Sequence, residues 1–112
     1  PLKPESWHAW RRYPLVEYDG LEFLSYPPLF VHQFSHAWID FRGLRDDYAD
    51  YWTNSVLATR AHRAMCIKMQ DRFPHYGENA WGITSSDSEY GYTAWGGPDP
   101  SSHVNGTLVP CA

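Results

Sequence analysis

Cysteine, clustered positive charge and long apolar runs are all scarce in this chain, and each scarcity removes a class of protein. Two cysteines, Cys66 and Cys111, are too few for a disulfide framework. One bridge between them is compatible with the sequence, and two free, buried thiols are the simpler expectation. Nine Lys and Arg against 13 Asp and Glu give a formal net charge of -4. With a pI near 5.8 there is no concentrated basic footprint, so nucleic acid is not an expected partner. No apolar run reaches the roughly 18 residues of a membrane span. The chain starts at Pro1 with no signal-like apolar stretch. The expectation is a processed chain or an excised part of a longer one. A Gly-rich phosphate loop and a Gly-x-Ser-x-Gly elbow are both missing. Neither cysteine has an electropositive setting that would activate it.

What is abundant is aromatic surface. Rings make up 17% of the residues, with 6 Trp, 8 Tyr and 5 Phe. A single domain of 112 residues buries only about two thirds of its unfolded surface. That core is too small to hide so many rings. They either line a binding surface or await further core from a larger fold, and the sequence favours both together.

Taken in order, Pro1 to Gly20 reads as a loop with at most a short turn. Trp7, Trp10 and Tyr13 fall at helical spacing, but Pro14 interrupts. Asp19-Gly20 is a turn signal, and Leu21 to Tyr26 a short strand or extended segment. Pro27-Pro28 pre-sets the entry to a helix predicted over Leu29 to Phe41, with Gly43 as its C-terminal cap. On that helix Leu29, His32, Gln33, His36 and Asp40 share one face. A long helix is predicted from Asp46 to Asp71. Its stripe is Tyr48, Tyr51, Trp52, Ser55, Ala58, Thr59, His62, Met65, Cys66 and Met69. Asp46 or Asp47 caps it, and Pro74 stops it. His62 is expected to be a satisfied core histidine. From Phe73 regular structure fades into glycine-punctuated loops of the kind that carry function. Trp95 to Pro98 is expected at a pocket rim, and Thr107 to Val109 as a short strand.

The chemistry lies in His32 to Arg45 and in Tyr76 to Asp87. His32, His36 and Asp40 approach metal-ligand spacing, but bulky aromatics fill the gaps, and no metal or cofactor is expected. Carboxylates among aromatics point to sugar. Sugar rings stack their C–H faces on Trp and Tyr, and their hydroxyls bind Asp, Asn, Gln, Arg and His. Glycoside cleavage needs one carboxylic acid and a second carboxylate. Glu78, between Tyr76, Asn79 and Trp81, is the candidate acid, because aromatic walls would desolvate it and raise its pKa. Asp40 and Asp87 are the candidate partners. Gln33, His36 and Arg42 are candidate hydroxyl binders, and Trp81 and Trp95 stacking platforms. Each carboxylate also has a structural alternative: Asp40 can pair with Arg42 or Arg45, and Asp87 can cap a turn through Ser85 and Ser88.

Four stretches, residues 31–42, 48–63, 78–87 and 91–98, beginning Val31-His-Gln-Phe-Ser-His-Ala-Trp-Ile-Asp-Phe-Arg42, resemble the bacterial glucoamylase-like family. That family includes endo-β-1,2-glucanases, and a related domain occurs in cyclic β-1,2-glucan synthases. The resemblance implies an all-α fold: a portion of an (α/α)6 toroid with long functional loops, residues 1–112 being a fragment of one catalytic domain. It implies a glucan substrate, β-1,2-linked in the endoglucanase members, in a central cavity. It also implies the remainder of the toroid as a partner, and export to the periplasm or cell surface. The rival from another class is a non-catalytic glycan-binding helical module, which needs no titrating carboxylate. A purely structural helical piece is the third, and it would leave Trp81 and Trp95 in the core with no cavity beside them.

Overall fold

The computed structural model describes residues 2–12 and 14–109. It corrects the all-α expectation, and with it the toroid portion. Two small antiparallel hairpins and several 3-10 turns surround one α-helix. β1 (Leu15–Tyr18) pairs with β2 (Leu21–Leu24), and β3 (Ser85–Ser88) pairs with β4 (Gly91–Ala94). α1 runs from Tyr51 to Lys68. Of the two helices that helical spacing signalled, only α1 forms. The strands are four residues each, too short to show alternation, and β3 is Ser-Ser-Asp-Ser, which carries no apolar signal at all.

The first hairpin turns at Asp19-Gly20, where both residues take positive φ, 56° and 74°. Asp-Gly suits this two-residue turn because its twist matches that of the strands. The Gly20 N–H donates to Glu17 Oε1 at 2.6 Å. The extended segment expected after Gly20 is therefore β2. Its partner β1 lies where a loop was expected, and a 3-10 turn over Pro4–Ala9 precedes it. Tyr13 of the Trp7, Trp10, Tyr13 spacing lies outside the described residues.

The helix expected over Leu29 to Phe41 resolves into two 3-10 turns, Leu29–His32 and Phe34–Ala37, broken at Gln33. Pro28 does set the entry to the first. The segment is dense in aromatic and β-branched residues, which are weaker helix formers. Gly43 has φ +76° but sits in the turn after Asp40 rather than on a helix end.

α1 starts later than expected because Asp46 is spent elsewhere. The Asp46 Oδ1 accepts from the Tyr48 and Ala49 N–H groups, and Oδ2 from Tyr51 Oη and Trp7 Nε1. Asp50 is the cap instead, accepting from the Thr53 N–H at 2.8 Å. The Asp46 carboxyl is pushed up by burial, but its hydrogen bonds outweigh this and hold it well below the usual carboxylate range.

The core lies along one face of α1. Ala58 and Ala61 pack on Phe23 of β2, while Met65 and Cys66 pack on Tyr76 and Ile83. Alanines at the first contact let the hairpin come close, and the Asn54 side chain fixes its register through Leu24. Its Oδ1 accepts from the Leu24 N–H at 2.7 Å, and its Nδ2 donates to the Leu24 carbonyl at 3.3 Å. The loop 95–98 is drawn in equally tightly. A Cβ on Gly97 would collide with the Pro27 carbonyl and lie 3.0 Å from His62 Cε1. The expected strand over Thr107 to Val109 is irregular backbone, held instead by Tyr76 Oη donating to the Thr107 carbonyl at 2.9 Å. Cys66 is fully buried. Cys111, and any bridge to it, lies outside the described residues.

His62 is buried, as expected, but only half satisfied: the ring bonds the Pro27 backbone, while its Nδ1 has no hydrogen-bond partner. Burial, with the nearby His32 adding to it, lowers its pKa from 6.5 to about 3. Between these values the unfolded chain takes up a proton that the folded chain refuses. Stability from this group is therefore present above about 6.5 and is lost as pH falls towards 3. His62→Gln will flatten the loss of stability across that window, measured as the urea midpoint at each pH. A variant that loses stability as steeply as the parent would show that His62 does not set the slope.

Candidate functional site

The 3-10 segment over residues 29–37 lies against α1, and the site forms where the two meet. His36 is its hub. His36 Nε2 and Ser55 Oγ are hydrogen-bonded at 3.0 Å. The imidazole also stands against Phe41 and Trp52, with ring centroids at 4.8 and 5.6 Å. Ser55 follows Trp52 by three residues, so both reach the same side of α1. The hydrogen bond and the ring contacts together fix the imidazole plane.

A cavity of about 370 Å³ opens beside this hub, large enough for a small ligand. Gln33, His36, Trp52 and Arg60 supply its functional side chains, and Val56 and Thr59 its floor. The wall offers an indole face, an amide, an imidazole and a guanidinium. That set can stack a ring with apolar faces and bond its hydroxyls. On the other side of Trp52 a second recess holds Asp40 and Arg42, again with His36.

Asp40 and Arg42 form a bidentate pair. Arg42 Nε donates to Oδ1 at 2.9 Å and Nη2 to Oδ2 at 2.7 Å, and the Arg42 N–H adds a third bond to Oδ1 at 3.1 Å. The Arg42 side chain and backbone bonds lower the Asp40 carboxyl to about 2. Both side chains are exposed. The Arg42 guanidinium in turn lies 5.9 Å from the Trp52 ring centroid. Asp40 is thus ionised at neutral pH, an acceptor and not an acid. Its pairing with Arg42 is the structural alternative read from the sequence.

His32, His36 and Asp40 do not converge. His32 is buried, its Nε2 lying 3.1 Å from the Tyr26 carbonyl oxygen and 3.4 Å from the Tyr26 nitrogen, and burial lowers its pKa. Without a continuous α-helix the four-residue spacing no longer stacks these groups. Among the described residues no three His, Cys, Asp or Glu are placed to hold a metal ion.

Of the residues singled out from sequence, Gln33, His36, Asp40 and Arg42 are brought together; Glu78, Asp87, Trp81 and Trp95 lie elsewhere. Glu78 and Asn79 form the tip of a tight turn closed by the Gly77 and Ala80 backbones, with Gly77 N–H donating to the Ala80 carbonyl at 2.9 Å. The Glu78 side chain is exposed there, not walled by rings, although Arg63 Nε donates to its backbone carbonyl at 3.3 Å. Asp87 is exposed on β3. Trp81 and Trp95 are half-buried against the Met65, Cys66, Tyr76 and Ile83 cluster. Trp95 Nε1 donates to Ser86 Oγ at 2.8 Å, and the Gly96 to Pro98 turn beside it is buried. Sequence reasoning missed Trp52, Ser55 and Arg60 as site residues. The first two were placed on the long helix's stripe, and Arg60 was not singled out. The usable signal was Trp52 in the first turn of a helix, too large and too near the end to belong to the core.

The Glycoamylase family model, described as "Putative glucoamylase", matches residues 1–112. An exo β-1,2-glucooligosaccharide sophorohydrolase (non-reducing end) of Parabacteroides distasonis is 33% identical over 84 residues, which are 74% of this chain and 11% of that protein. An endo-β-1,2-glucanase of Chitinophaga pinensis, solved with sophorotriose and glucose, superposes with a TM-score of 0.70 at 31% identity. The match covers 80% of this chain and 23% of that one. A β-1,2-glucanase of Parabacteroides distasonis superposes with a TM-score of 0.73 at 27% identity, over 93% of this chain and 16% of that one. The chain therefore spans less than a quarter of each of these relatives.

The Asp40–Arg42 geometry can be tested by titration. In Arg42→Ala, the Asp40 carboxyl will rise from about 2 towards its ordinary 3.8, read from the pH dependence of its carboxyl carbon shift by NMR. A midpoint left near 2 would mean that Arg42 does not hold the carboxylate.

Proposed function

We propose a function from one premise: this chain belongs to the Glycoamylase family. It forms part of the substrate-binding wall of a glycoside hydrolase acting on β-1,2-glucan, and residues 1–112 are a portion of one larger catalytic domain. The observation that carries this is the cavity at His36, where Trp52, Gln33 and Arg60 surround a recess of about 370 Å³. Two relatives that superpose on this chain act on β-1,2-glucan, as their names state. The chain's radius of gyration, 15.1 Å, exceeds the roughly 13 Å of a compact domain of about 100 residues. Trp38 is 79% exposed and Tyr90 91% exposed, which suits a piece that packs against more of its own protein.

In this reading Trp52 stacks a glucosyl ring, and Gln33, His36 and Arg60 bond its hydroxyls. Asp40, held ionised by Arg42, accepts from a hydroxyl or serves as the second carboxylate. Glu78 donates the proton to the leaving oxygen, with Asp87 as the remaining candidate carboxylate. Glu78 is exposed on its turn, so its role as the acid needs the rest of the domain to cover it. The same exposure favours a second reading, a glycan-binding module without catalysis. We infer the periplasm or the cell surface as its place of action from the family resemblance.

One experiment separates the two readings. In the full-length protein, Glu78→Gln will lower kcat on β-1,2-glucan by about 10²- to 10⁴-fold, the range for loss of a general acid, and will leave glucan binding in place. Turnover close to that of the parent would remove Glu78 from the chemistry. A parent that binds β-1,2-glucan without cleaving it would establish the binding module.

A further inference from the structure

The 3-10 turn Pro4–Ala9 adds nothing to the core. It has no buried residue, and Trp7 and Trp10 stand 51% and 71% exposed. Polar and stacking contacts hold this segment instead, and they fall together on residues at the start of α1. Trp7 Nε1 donates to Asp46 Oδ2 at 2.7 Å, and His8 Nδ1 and Tyr48 Oη are hydrogen-bonded at 3.1 Å. The Arg12 guanidinium lies between the Trp7 and Tyr48 rings, 4.5 and 4.3 Å from their centroids. Its Nη2 pairs with Asp46 Oδ2 at 3.6 Å. Apolar burial therefore does not account for where the segment sits.

The same Asp46 oxygen accepts from Tyr51 Oη at 2.7 Å. One atom thus ties the N-terminal segment to the first residue of α1. Tyr51 and Ser55 are four positions apart and share a side of the helix. Ser55 Oγ is bonded to His36 Nε2, while the Tyr51 ring backs Phe41, which packs on the imidazole. Tyr51 and Phe41 are only half-buried, so packing alone leaves both rings room to shift. The bond from the Tyr51 hydroxyl to Asp46 removes that freedom at one end of the row.

We propose that residues 4–12 are a positioning strap, which through Asp46 and Tyr51 sets the plane of the His36 imidazole in the cavity wall. Trp7, Asp46 and Tyr51 are its positioning residues, and none of them lines the cavity at His36. The proposal rests on the glucan reading of that cavity.

The test removes one donor at a time from Asp46 Oδ2 in the full-length protein. Trp7→Phe deletes an indole N–H at the exposed surface, and Tyr51→Phe deletes the hydroxyl and keeps the ring. In each, KM for β-1,2-linked gluco-oligosaccharides will rise about three- to tenfold with kcat unchanged, the range for residues coupled through shared contacts. Beside His36→Ala neither substitution will raise KM further, because the group it positions is gone. The NMR signals of the His36 imidazole nitrogens will shift in both variants. A parent-like KM and unmoved His36 signals overturn the strap. So does a rise in KM that persists in full beside His36→Ala, which marks a general structural effect. A parent that cleaves no β-1,2-linked oligosaccharide overturns the glucan reading instead. The His36 signals then decide the strap by themselves: shifted, it stands, and unmoved, it falls.

Discussion

Close contact along one face of a single helix holds this chain together. α1 offers Ala58 and Ala61 at one end and Met65 and Cys66 at the other, with His62 between them. The first hairpin packs on the small residues and the C-terminal loops on the large ones. The first hairpin alone is too small to be stable in water, so it depends on this face. The two halves are then joined across it: the Leu29 N–H donates to the Ile83 carbonyl, and the Phe30 N–H to Thr84 Oγ1. His62 sits at this junction, close to Gly97, and its burial as an uncharged ring is the cost of so close an approach.

The site inherits its rigidity from the same helix. Trp52 and Ser55 are placed by the first turns of α1, and the Asp50 cap fixes where those turns begin. His36 is then held by a hydrogen bond on one side and by two rings on another. Asp46 ties the N-terminal segment to this end of the helix through Trp7, Arg12 and Tyr51. Tyr51 in turn meets Phe41, which meets His36, with centroids 6.3 and 4.8 Å apart. A chain of packed rings therefore runs from the Asp46 cluster to His36 in the cavity wall. The carboxylates divide by environment: Asp40 is committed to a guanidinium, and Glu78 stands on a turn without one.

The residues showed the long helix, the Asp19-Gly20 turn and β2. Periodicity reports α1 because eighteen residues give it five turns in which to repeat. It could not report β3, whose hydroxyl-rich strand is held by register and turn geometry. It misread residues 29–41, because spacing that stacks side chains on an α-helix loses its meaning in two 3-10 turns. The cap shifted from Asp46 to Asp50 because Trp7 and Arg12, far along the chain, join the nearby Tyr48, Ala49 and Tyr51 in claiming the Asp46 carboxylate, and contacts across 39 positions leave no local trace. The cavity itself was half legible. Gln33 and His36 stood out as polar groups in an apolar segment, whereas Trp52 looked like core.

The central claim is that the recess bounded by Trp52, Gln33 and His36 receives a glucosyl ring. A crystal structure of the full-length protein with a β-1,2-linked gluco-oligosaccharide tests it most directly. The account predicts a sugar face against the Trp52 indole, with hydroxyls in hydrogen-bond range of Gln33 and His36. An oligosaccharide bound elsewhere, with another part of the polypeptide filling this recess, would contradict it.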